Sequence, residues 1–338
     1  VIVIGINLDD DNIGHTYYEN IRVIPNHDHN LTLSWSYFVP GLRSPAYGNL
    51  FRDSNVTFEW TSVTGATAYD LEVYLENNHD TPLIKQYGLT DLFYTPDIAL
   101  NYNSYDWRVR SRDVLMNASK WTDFHPFAII RTLPSYETGT VTGVDGNIYQ
   151  TVKIGDQWWM AENLKTTRYR NGDSIPVVTN YDEWNQLTTG ARCVYENTET
   201  YANTYGYIYN WYSADDPRGL APEGWRVPTD RDWKTLVNYL GGRWAGGQLK
   251  ETGTSHWRAP NTGATNESGF TALPGGFRYE GFNRNYDDLG RRAMFWSSTS
   301  YDGTVWAWHR LLYFLNSGIK RSTIRKHNGL SIRLVREY

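Results

Sequence analysis

Residues Gly219–Leu240 read GLAPEGWRVPTDRDWKTLVNYL and carry a nearly complete set of helix punctuation. Pro228 and Thr229 stop an extended segment, and Thr229 is placed to act as an N-cap. Asp232, three residues on, supplies the acidic partner of a near capping box. Trp233, Leu236, Val237 and Leu240 then fall at i, i+3, i+4 and i+7, one apolar stripe on a helix. Gly241 and Gly242 end the pattern where a left-handed backbone is wanted. The stretch predicts a helix docked through Trp233.

Working outward, Tyr209–Asn210–Trp211–Tyr212 precedes it, and QWWMAENL occupies 157–164. GTSHWRAPNTGATNESGFTALPGG follows at 253–276, WSST at 296–299 and GLSIRLVR at 329–336. This series of Trp-anchored motifs resembles the Fibrobacter succinogenes major paralogous domain over about residues 136–338. The resemblance implies an α+β, C-type lectin-like fold and a place among secreted and surface proteins of Bacteroidetes and Fibrobacteres. It implies no catalytic activity. It also makes Trp159, Trp184, Trp211, Trp225, Trp233, Trp257, Trp296 and Trp308 framework residues. Related domains often carry a cysteine before the Pro-x-Gly-Trp motif and another near the end. Here those positions are Ala221 and Leu334, which implies a core held by packing alone.

The N-terminal half has a different rhythm. From about 42 to 133 the period is two: Val56, Phe58 and Trp60 alternate with Thr57 and Glu59. Tyr69, Leu71, Val73 and Leu75 alternate with Asp70, Glu72 and Tyr74, and Tyr105, Trp107 and Val109 with Asp106, Arg108 and Arg110. Turns rich in Asn, Gly, Pro and Asp separate these runs, the pattern of an antiparallel sandwich with Trp60 and Trp107 inside. VTFEWTSVTGATAYDLEVYL and YDWRVRSRD resemble a fibronectin type III or Ig-like spacer domain. The chain is thus expected to be mainly β, a sandwich followed by the α+β domain. Leu133–Thr138 serves as a short connector. Residues 1–41 form a β segment, with strands at Ile21–Ile24 and Leu31–Trp35, either part of a preceding domain or docking strands for the next. The acidic run Asn7–Asn12 lacks the spacing of a calcium loop and reads as a solvated turn.

Within the C-terminal half, Asp145–Gly146 marks a hairpin, and a short helix is expected at Tyr181–Leu187 behind the cap Asn180. Strands are expected at Ala293–Ser298, Val305–Phe314 and Leu330–Arg336.

Composition narrows function. The 338 residues have a net charge of −5 and no basic block, which argues against nucleic acid as a partner. No apolar run is long enough to span a bilayer. The opening VIVIGI is too short for a signal h-region, so a mature or trimmed chain is expected, with any lipid anchor outside it. Cys193 is the only cysteine, which excludes an intrachain disulfide and a cysteine metal site; it reads as a small buried residue. It also leaves the paired-cysteine oxidation chemistry of formylglycine-generating enzymes, implied by the shared fold, without support. No G-x-S-x-G, H-E-x-x-H or phosphate loop occurs. Glu162, Asp230 and Asp232 are candidate hydrolytic carboxylates, which the sequence cannot pair. The WSST strand lacks the carboxylate that a sugar-bridging calcium would need. The Asp287–Asp288 pair is the remaining place for a metal, and no cofactor is expected.

Aromatic stacking is left. The chain has 15 Trp and 26 Tyr, enough for both a Trp-rich core and a binding face, and sugar rings pack their C–H faces on aromatic side chains while polar groups take the hydroxyls. Trp158, Trp244 and Trp306 stand outside the framework set, and Trp306 faces the same side of its strand as Trp308. The loop Phe277–Arg292 adds further aromatic and polar residues, and its three large aromatics either staple it to the domain or bind ligand. The candidate glycan-binding residues are Trp306, Tyr279, Phe282, Asn283, Tyr286, Asp287, Arg291 and His309. The expected partners are a polysaccharide or oligosaccharide and, by resemblance, a TonB-dependent importer complex at the outer membrane, the chain acting as a surface glycan-binding lipoprotein. An adhesin and a glycoside hydrolase are the rival readings.

Overall fold

The structure, a computed structural model, describes residues 38–76, 78–279, 286–303 and 305–337. The Asn7–Asn12 run and the expected strands at Ile21–Ile24 and Leu31–Trp35 lie outside the described residues. The chain is mainly β, 37% strand against 12% helix, as the patterning predicts. It divides into two compact units, the first ending at Ile129 and the second starting at Ile130. The second begins before the expected connector because Arg131 already belongs to it. Its N–H donates to the Leu240 carbonyl and its Nε to the Tyr239 carbonyl, each at 3.1 Å.

In the first unit, Leu42–Ser44, Phe58–Trp60 and Phe93–Tyr94 make a three-stranded sheet. Asn49–Phe51, His125–Ile129, Asn103–Arg112, Ala68–Leu75 and Ile84–Leu89 make a five-stranded one. Phe58, Trp60, Leu71, Val73, Trp107 and Val109 form the core that the alternation predicts. Two details differ from expectation. Leu75, at a strand end, is exposed. Asp70 and Glu72, which read as solvent-facing, are buried. Register places Arg110 opposite Asp70 and Arg108 opposite Glu72. Arg110 and Arg112 each pair with Asp70 at 2.7 Å, and Arg108 with Glu72 at 2.6 Å. The Trp121 ring lies 4.6 Å from one guanidinium and 4.5 Å from the next. Long stems and paired charges cover a face whose sequence looks wet.

In the second unit, Thr138–Thr142 and Ile148–Ile154 form the expected hairpin, with Gly146 at φ 84° in its turn. They join Gln157–Met160, Val335–Arg336 and Trp225–Arg226 in one five-stranded sheet. Arg192–Cys193, Ile208–Asn210, Gly329–Leu330, Gly275–Arg278 and Tyr286–Leu289 form a second. Arg292–Ser300, Trp306–Tyr313 and Ile319–Arg325 form a third, antiparallel sheet.

The helix spans Asp230–Leu240 with a full capping box between Thr229 and Asp232, and Gly241 closes it at φ 111°. Trp233, Leu236 and Leu240 are buried, while Val237 is half-buried at the edge of the stripe. The Trp233 ring lies 4.7 Å from Trp159 and 5.7 Å from Phe295. The short helix is Tyr181–Asn185, capped by Asn180 and two residues shorter than expected. Seven of the eight framework tryptophans are buried, Trp308 being the half-exposed one. Ala221 and Leu334 sit in one core cluster. Cys193 is buried, and burial raises the pKa of its thiol.

Ile319–Arg325, which was not among the expected strands, is a strand, and one strand expectation needs correction. The expected Leu330–Arg336 strand splits into Gly329–Leu330 and Val335–Arg336, because the chain crosses there from one sheet to another. Between the halves, the buried Arg333 side chain donates to Asn163 Oδ1 and to the carbonyls of Met160, Phe270 and Thr271. That cage of acceptors satisfies a cation at a place where no regular ladder runs.

Candidate functional site

The Phe277–Arg292 loop divides into a stapled part and an exposed part. Phe282 and Asn283 lie outside the described residues. Tyr286 is half-buried, its hydroxyl donating to Asn197 Oδ1 at 2.8 Å and its ring 5.3 Å from Tyr195. Burial raises its hydroxyl pKa well above the ordinary phenol value. Beneath it, Arg278 donates to the Val178, Thr179 and Asn180 carbonyls and stacks 4.3 Å from the Trp184 ring. Tyr286 therefore staples the strand. Tyr279 is 47% exposed and touches Phe277 edge-on. Asp287 accepts the Asp288 N–H at 2.9 Å. Asp288, at φ 61°, pairs with Arg292 at 3.0 Å and more loosely with Arg291 at 4.0 Å. Burial raises the Asp288 carboxyl pKa, the nearby Arg292 charge opposing it. Among the described residues no group of three His, Cys, Asp or Glu side chains is placed to hold a metal.

Trp306 begins a different surface. On the Trp306–Tyr313 strand, Trp306, Trp308 and Arg310 point to one face, and Ala307 and His309 to the other. His309 is 3% exposed, and burial lowers its pKa to about 3, leaving the ring neutral. It lies opposite Trp296 and Ser322, in the interior. The structure does not bring His309 together with Trp306, which corrects its inclusion among the candidates.

The Trp306 face is covered by the helix over only part of its length. Phe295, opposite Arg310, packs on Trp233. At the helix start, Asp230 accepts from Arg310 Nη2 at 2.9 Å and from Arg321 Nε at 2.9 Å and Nη2 at 3.0 Å. Lys234, one turn on, stands 3.3 Å from the same carboxylate. Burial alone would raise the Asp230 pKa, but the bonds from Arg321 and Arg310 overcome it and hold the carboxyl below its ordinary value.

Beyond Asp230 the sheet face is uncovered. The Arg321 guanidinium lies 3.2 Å from the centre of the Trp308 ring, and Tyr301 meets that ring edge-on at 5.0 Å. Trp306 is 37% exposed, with Arg325 5.5 Å from its ring. Across the strands, Arg310, Trp308 and Trp306 face Arg321, Thr323 and Arg325. Sequence reasoning found Trp306 and missed Tyr301, Arg321 and Arg325. The available signal was the alternation of Arg321, Thr323 and Arg325 in IKRSTIR, legible once that run is taken as a strand.

The three carboxylates considered for hydrolysis are each engaged in structural contacts. Asp232 caps the helix and pairs with Arg226 at 2.5 Å, Asp230 binds the cations above, and Glu162 accepts the Gln150 N–H at 3.1 Å.

The family model of the Fibrobacter succinogenes major domain matches residues 152–336. No curated protein matches the chain. Among solved structures, an alpha-L-rhamnosidase from Dictyoglumus thermophilum is similar over 39% of this chain and 18% of its own, at 15% identity and a TM-score of 0.24. This chain thus spans less than a fifth of that structure.

Proposed function

Because this chain belongs to the Fibrobacter succinogenes major domain family, one of surface-associated domains, we propose that it is a non-catalytic surface protein that captures polysaccharide. In this reading the second unit is the binder and the sandwich a spacer. The chain holds glycan at the cell surface for a TonB-dependent importer complex and is held there by a lipid anchor.

One observation carries the reading. Seven framework tryptophans are buried, whereas Trp306 offers a large aromatic surface to solvent at the uncovered end of a sheet face, beside Trp308 and Tyr301. Exposing such a ring forgoes burial that would stabilise the fold, and a flat aromatic flanked by guanidinium donors suits a sugar ring. Tyr279 offers a second exposed aromatic, while Tyr286 belongs to the framework.

Affinity electrophoresis across a glycan panel tests it. Retarded migration without released sugar, lost in Trp306→Ala, supports the reading. Reducing ends that accumulate with time would replace it with hydrolysis. Failure to be retarded by any glycan would favour protein adhesion.

A further inference from the structure

We propose that the glycan held at the Trp306 face is acidic, carrying carboxylate or sulfate groups; the inference rests on the glycan reading and adds the charge of its ligand. Three cations, Lys234, Arg310 and Arg321, share the single carboxylate of Asp230. Arg325 adds a further positive charge beside Trp306, and the adjoining turn carries one acidic residue, Asp302. A local surplus of positive charge therefore borders the exposed aromatics, in a chain whose net charge is −5. The surplus is a property of this face and not of the protein at large.

Arg321 is the pivotal group. Asp230 takes its Nε and Nη2 and holds the guanidinium flat over Trp308. Its Nη1 makes no hydrogen bond among the described residues, and the side chain is 38% exposed. A guanidinium fixed in this way presents a donor without losing further side-chain entropy on binding. Lys234 is 55% exposed on the helix surface beside it. A sugar ring stacked on Trp306 would set its acidic substituent toward Arg321 and Lys234. Successive residues on one face of a strand lie about 7 Å apart, so the step from Trp306 to Trp308, which Arg321 covers, is on the scale of one sugar residue. A neutral glycan would gain the stacking and leave the charges to water.

The test uses matched polymers: polygalacturonate against its methyl ester for carboxylate, and dextran sulfate against dextran for sulfate. Retention of the whole protein is measured at low salt and at about 1 M NaCl, where the Debye length is about 3 Å. The expected result is retention about tenfold stronger on one charged member than on its uncharged twin, as one well-placed ion pair allows. The gap should shrink at high salt. Lys234→Gln should narrow it while leaving the uncharged polymer's retention within about twofold, and Arg321→Gln should narrow it as well. Lys234→Gln alters an exposed side chain and keeps the test valid if Arg321→Gln unfolds. Equal retention on charged and uncharged members, with Trp306→Ala still abolishing both, overturns the inference and leaves the glycan reading standing. A charge preference unchanged in Lys234→Gln, and in Arg321→Gln where it folds, also overturns it. Retention on none of the four, nor on the wider panel, overturns both.

Discussion

Trp233 and Trp306 put one residue type to opposite uses, and alanine substitutions separate them. Trp233→Ala empties the space between Trp159 and Phe295 and should cost about 3–5 kcal/mol, read as a fall in thermal midpoint. Trp306→Ala should cost far less while removing most glycan retention. Equal losses of stability would place Trp306 in the core and end its candidacy. His309→Leu should leave retention unchanged, since the ring lies in the interior; a loss of binding would restore it to the site. The burial of seven of the eight framework tryptophans was legible because the motif pattern separates framework positions from additional ones. His309 was misjudged for a simple reason. It lies three residues from Trp306, and odd separations on a strand point to opposite faces, so parity in VWAWHR already excluded it. Tyr286 was legible only as an open choice, because nothing local reveals that Asn197, far back in the chain, accepts its hydroxyl.

The helix start and the three-stranded sheet meet at Asp230, and that junction should respond to acid. Its pKa is depressed in the folded state. It therefore contributes stability that is present above the ordinary aspartate value of 3.8 and lost as pH falls through the folded value. Thermal melts below about pH 4 should show this loss, and Asp230→Asn should flatten that part of the profile while lowering the plateau above it. An unchanged acid limb would mean that the cluster contributes nothing. The helix itself was readable almost to the residue, since its cap, stripe and terminating glycines are local signals. The Ile319–Arg325 strand was not, because one of its faces carries Arg and Thr that look like loop chemistry. That face is polar because the helix, which starts at Asp230, leaves it uncovered, a tertiary fact. The same limit hid Asp70 and Glu72 in the first unit, where burial depends on arginines that another strand supplies.

For the molecule as a whole, the first expectation concerns redox. With Cys193 buried and alone, the thermal midpoint should be the same with and without dithiothreitol; a fall of several degrees would imply a disulfide between chains through that thiol. The second concerns valency. An open aromatic surface grips one sugar weakly, because hydroxyls largely exchange water for protein partners. Titration calorimetry should show affinity rising with oligosaccharide length and unaltered by EDTA. Equal affinity for monosaccharide and oligomer would indicate a closed pocket, and binding lost in EDTA would redirect attention to Asp287 and Asp288. The crossing segment Gly329–Arg336 ties the second unit together. It pairs with Ile208–Asn210 and Gly275–Arg278 at one end, with Gln157–Met160 and Trp225–Arg226 at the other, and bridges to Phe295 between. All three sheets of the second unit thus wait for the part of the domain that is synthesised last. A nascent chain lacking those residues has no way to close, so the domain should fold only after its synthesis is complete. The second unit of pulse-labelled chains should become protease-resistant in a single late step, with no shorter fragment of that unit protected before it.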